Sequence, residues 1–60
     1  MLTEYQKALT YLLYRAGFEA REITVLVNHY EQEEKDVKDE LFIFLRDKNP
    51  TRQEALEFLP

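Results

Sequence analysis

Along the first third of the chain, Tyr5, Ala8, Leu9, Leu12, Leu13 and Ala16 recur at intervals of three and four, with polar residues between them. That spacing lays one apolar stripe along a helix. Thr3 followed by Gln6 fits the Thr-x-x-Gln capping box, in which each side chain satisfies an otherwise orphaned backbone N–H at a helix start. Gly17 supplies the left-handed conformation that commonly closes a helix. The pattern predicts a first helix over residues 3–16.

A second stripe, Ile23, Leu26, Val27 and Tyr30, predicts a helix over residues 19–30. The run from Ile23 to Val27 is also rich in β-branched residues, so a buried strand is the competing assignment. A third stripe, Val37, Leu41, Phe44 and Leu45, predicts a helix over residues 33–48. Neither glycine nor proline separates the second and third helices. A single helix of about 30 residues would be about 45 Å long, so a bend within residues 28–33 is expected, with a long helix shared by two chains as the rival. Asn49-Pro50 stops the third helix. Thr51 and Glu54 repeat the capping box ahead of Ala55, Leu56, Phe58 and Leu59, which predicts a short fourth helix over residues 51–58 that lids the core. The expected fold is all-α: a single domain over residues 1–60, built as a small three-helix bundle with a short fourth C-terminal helix.

Size changes this picture. A domain of 60 residues buries only about 60% of the surface its unfolded chain exposes, and a core this small supplies about 3–5 kcal/mol. A partner or a second copy is therefore expected. The chain has no cysteine to form a disulfide, no secretory signal, and no apolar run near the ~20 residues that span a bilayer. A cytoplasmic location without membrane association is expected.

The net charge of −4 is local. Residues 1–30 hold three acids and three bases, and residues 41–60 do the same. The whole surplus lies in residues 31–40, where Glu31, Glu33, Glu34, Asp36, Asp39 and Glu40 face only Lys35 and Lys38. One reading is a solvated helix face laced with i,i+4 pairs, Glu31 with Lys35 and Glu34 with Lys38. The sharper reading is a surface that steers a basic partner.

Projecting each helix at 100° per residue leaves some apolar residues off the stripe. Tyr11 and Tyr14 fall on the far side of the first helix, Val25 on the far side of the second, and Ile43 among acids on the third, with Phe42 on its shoulder. These five are the expected partner-binding residues, since tyrosine is enriched at interfaces and contiguous apolar patches mark binding sites.

Catalytic chemistry is not evident. There is no serine or cysteine to serve as a nucleophile beside a base, and one glycine cannot build a phosphate-cradling loop. His29 and Glu33 sit at i,i+4, two potential ligands where structural metal sites use four. No enzyme activity, cofactor, metal or small-molecule substrate is expected. The stretch helix, Ala16-Gly17-Phe18, helix is the outline of a helix-turn-helix, and Arg21, Thr24 and Asn28 would face away from the second helix's stripe. Those residue types read base edges or phosphates. Over roughly Leu12 to Asn28 the chain is similar, in this generic outline, to helix-turn-helix regulators.

The expected function is that of a small non-enzymatic regulatory or adaptor protein acting by protein–protein binding, as a homodimer. The alternatives are a DNA-binding regulator using Arg21, Thr24 and Asn28, and a structural subunit of a self-assembly.

Overall fold

Thr3 starts the first helix as its spacing predicts. Its hydroxyl accepts the Gln6 backbone N–H at 3.1 Å, and Gln6 Oε1 accepts the Thr3 N–H at 2.8 Å. The computed structural model describes residues 2–59. Among them it contains four helices, α1 (Glu4–Ala16), α2 (Ala20–Glu31), α3 (Lys35–Lys48) and α4 (Arg52–Phe58), and no strand. Helices α1, α2 and α3 pack against one another, with α4 as a short C-terminal addition.

Each break has a local cause. Gly17 takes φ 104°, the Phe18 N–H bonds the Leu13 carbonyl at 3.1 Å, and the Gly17 N–H bonds the Tyr14 carbonyl at 3.0 Å. This pair of bonds is a Schellman motif, which satisfies carbonyls that the end of α1 leaves open. Phe18, the next residue, turns inward and is buried. The break between α2 and α3 falls at residues 32–34, at the late edge of the expected bend, with the Glu33 N–H bonded to the Tyr30 carbonyl at 3.1 Å. The strand alternative for Ile23–Val27 is excluded because α2 runs through it, and the 27 Å longest extent leaves no room for a 45 Å helix. Asn49 closes α3 in the left-handed region at φ 47°, a conformation asparagine tolerates better than most residues. Thr51 and Glu54 then form the second predicted capping box.

The core is the intersection of the stripes. Leu9, Leu13, Leu41 and Leu45 are its largest fully enclosed side chains, joined by Leu12, Ala16, Phe18, Ile23, Val27, Tyr30 and Ala55. Val37 departs from its stripe: near the start of α3 it is 37% exposed. The fourth helix closes the core through Ala55 and, at its end, Leu59, while Leu56 and Phe58 stay exposed. Phe58 stacks on Phe44 at 4.3 Å between ring centroids.

Polar contacts hold the later helices to the first two. Arg15 Nη2 donates to the Leu45 carbonyl at 2.6 Å and the Arg46 carbonyl at 3.2 Å, satisfying groups near the C-terminus of α3. Lys38 Nζ does the same for the Glu31 carbonyl at 3.3 Å and stands 4.7 Å over the Tyr5 ring. Arg52 grips Glu22 with two guanidinium nitrogens and covers the face of Phe18. No helix among the described residues is long and apolar enough to cross a membrane.

Candidate functional site

Because Tyr11 and Tyr14 lie off the buried stripe of α1, they stand up along its outer edge, 62% and 72% exposed. The Schellman turn brings α2 alongside, and the two helices enclose an open groove of about 1120 Å³. Its α1 wall is Thr10, Tyr11 and Tyr14, with Leu2 at one end. Its α2 wall is polar or small: Ala20, Arg21, Thr24 and Asn28. Between them Phe18, Ile23 and Val27, all core residues, form an apolar floor. Exposed aromatic rings on one wall therefore stand beside core residues on the floor.

The expected partner-binding residues do not all meet. Tyr11 and Tyr14 share this groove. Val25 lines a second, smaller depression between α2 and α4 with Leu26 and Leu56. Ile43 is half exposed on α3 and lines neither. Phe42 is half-buried against the core, with the Arg46 guanidinium 5.7 Å from its ring centroid, so its shoulder position turns inward rather than out. Leu2 and Leu56 are additions that the helical projections do not single out. Leu2 precedes the cap, where no periodicity applies, and the pattern of α4 places Leu56 in the lid.

The three candidate DNA-reading residues, Arg21, Thr24 and Asn28, are exposed and line the same groove as the tyrosines. Two of them have local partners. The Thr24 hydroxyl donates to the Ala20 carbonyl at 3.1 Å, and Arg21 Nε lies 3.7 Å from Glu19.

The acidic run is less uniform than its composition. Among the described residues the predicted pairs Glu31–Lys35 and Glu34–Lys38 do not form: the helix break at residues 32–34 separates Glu31 from Lys35, and Lys38, although its N–H bonds the Glu34 carbonyl, turns its ammonium to the Glu31 carbonyl and the Tyr5 ring. Lys35 pairs instead with Asp39 at 2.6 Å, both on α3. Glu34 is the N-cap of α3, and Glu33 lies 3.4 Å from His29 Nε2. Glu31 is half-buried, with its Oε2 enclosed and without a hydrogen-bond partner. Burial first, and then the charge of Glu31, pushes the Tyr5 hydroxyl up to about 12. Glu34, Asp36, Asp39 and Glu40 are the exposed acids of the run, Asp39 already paired with Lys35.

Among the described residues no three His, Asp or Glu side chains converge as metal ligands, and the His29–Glu33 pair stands alone. The strongest electrostatic perturbation, Glu22 held down to about 2 by its hydrogen bond from Arg52, sits at a helix-to-helix joint. The groove is open to solvent rather than an enclosed cavity, a shape compatible with a segment of polypeptide. Set against known protein families, curated proteins and solved structures, the chain matches none of them.

Proposed function

We propose that this protein is a small non-enzymatic regulator or adaptor that works by binding another polypeptide in the groove between α1 and α2. One observation carries the reading: Tyr11 and Tyr14 stand exposed over a floor made of core residues, so a partner covering them gains buried apolar area beside the domain's own core. The exposed carboxylates of residues 34–40 form a separate acidic surface, outside the groove, that attracts a basic partner, an effect weakened by salt. The absence of cysteine fits action in the reducing cytoplasm.

The test is a photo-crosslinking residue placed at position 14 in the cell that makes the protein, with position 57 as the exposed control. The expected result is a discrete adduct with a polypeptide at 14 and none at 57. No adduct at 14 overturns the reading.

A second reading, a DNA-binding regulator, is favoured by the exposure of Arg21, Thr24 and Asn28 along α2. It predicts duplex binding that falls steeply with salt as phosphate-bound counterions are released. The absence of any complex at low salt eliminates it.

A further inference from the structure

We propose that the α1/α2 groove is the interface of a symmetric dimer, its occupant the same groove of a second copy of this chain. This rests on the groove being a binding surface and names its partner.

A two-fold contact needs a patch that is complementary to itself. One wall of the groove supplies projections, Tyr11 and Tyr14. The other offers the small side chains of Ala20 and Thr24 beside the buried Ile23 and Val27, with Arg21 and Asn28 flanking them. Turning one copy about a two-fold axis lays each copy's tyrosines along the other's α2. Tyrosine suits this position, because its ring is buried while its hydroxyl finds a polar group at the edge. An unrelated partner requires no such match of large and small side chains on one face.

Charge selects the same occupant. Each cation lining the groove already has its own carboxylate: Lys7 Nζ is 3.8 Å from Glu4, and Arg21 Nε is 3.7 Å from Glu19. Residues 1–30, which build this face, carry no net charge, whereas residues 31–40 hold the whole surplus of −4. Two copies meeting on that segment would oppose like charges, and two copies meeting on the α1/α2 face do not. A basic partner is drawn to residues 31–40, away from a groove that offers it no surplus carboxylate.

Sedimentation equilibrium of the full chain tests this. The expected result is a reversible dimer whose affinity does not fall steeply with salt, because the interface does not depend on opposite charges that salt would screen. Tyr14→Glu, checked for helicity by circular dichroism, weakens dimerisation at least about tenfold. Thr24→Arg, which puts a large side chain on the other wall, does the same, and Ile43→Lys leaves the dimer intact. A monomer at high micromolar concentration overturns the proposal, as does a dimer that survives both groove variants or weakens steeply with salt. The reading of the groove as a binding surface fails separately. A monomer that crosslinks through position 14 to a different protein keeps the groove and refutes only the second copy.

Discussion

Tyr14 on the α1/α2 face and Ile43 on α3 are both large apolar side chains left in water, 72% and 50% exposed. Their surroundings are opposite. Around Tyr14 the groove's cations are each balanced by a carboxylate, and the groove floor is Phe18, Ile23 and Val27. Ile43 has Asp39, Glu40 and Asp47 one helical turn away. Lys35 and Arg46 compensate two of those acids at 2.6 and 2.8 Å. Covering Tyr14 removes apolar area without stranding charge. Covering Ile43 desolvates carboxylates, which is favourable only opposite cations. Exposed apolar residues in one small domain can thus address different partners, and the neighbouring charges decide which.

The two faces share one core, so the deepest way to break the contrast is to remove that core. Leu13→Ala, at a fully enclosed position, is expected to cost about 2–5 kcal/mol. That is comparable to the whole stability of about 3–5 kcal/mol typical of so small a core. Both faces should be lost together, seen as the collapse of the helical circular dichroism signal at 25 °C.

Gly17→Ala strikes the groove side first. A Cβ there meets only Arg52 Cβ at 3.8 Å, an ordinary contact, so the cost is that of holding an L-residue at φ 104°. That is about 1–2 kcal/mol, read from urea denaturation. Thr51→Ala loosens α4 instead by removing its cap, at about 1 kcal/mol. It should leave groove-dependent association unchanged.

Glu22→Gln tests the joint between the two halves. Arg52 lowers the folded carboxyl from 4.5 to about 2, so the unfolded chain takes up the proton first. The stability this pair contributes is complete above pH 4.5 and is lost as the pH falls toward 2. The variant should show a shallower acid loss over that window, and high salt should narrow the difference because the pair is partly exposed. Smallest of all is Ile43→Lys, expected within about 0.5 kcal/mol of the parent by the same denaturation. A collapsed fold there would show that Ile43 is core and that the α3 face has been misplaced.

The elements with strong local signals are legible in the order of residues alone. Thr3–Gln6, Gly17, Asn49-Pro50 and Thr51–Glu54 each mark a boundary through a backbone requirement that neighbouring residues meet unaided. The break between α2 and α3 is harder to place, since Gln32, Glu33 and Glu34 carry no glycine or proline and the turn is set by how α3 packs back on α1. For the same reason the Glu31–Lys35 pair does not form, and Lys38 passes over Glu34 for the Glu31 carbonyl and the Tyr5 ring, contacts that only the packing of α3 supplies.

Near-neighbour spacing is enough to encode an all-α bundle, its stripes, its caps and the confinement of the charge surplus to ten residues. Packing of the helices was needed to bring Tyr11 and Tyr14 into one groove with Arg21, Thr24 and Asn28, to leave Val25 and Ile43 outside it, and to turn Phe42 inward. A helical projection fixes the direction of a side chain about its own axis. Whether two such directions converge depends on how the helices pack, and that is a property of the whole core.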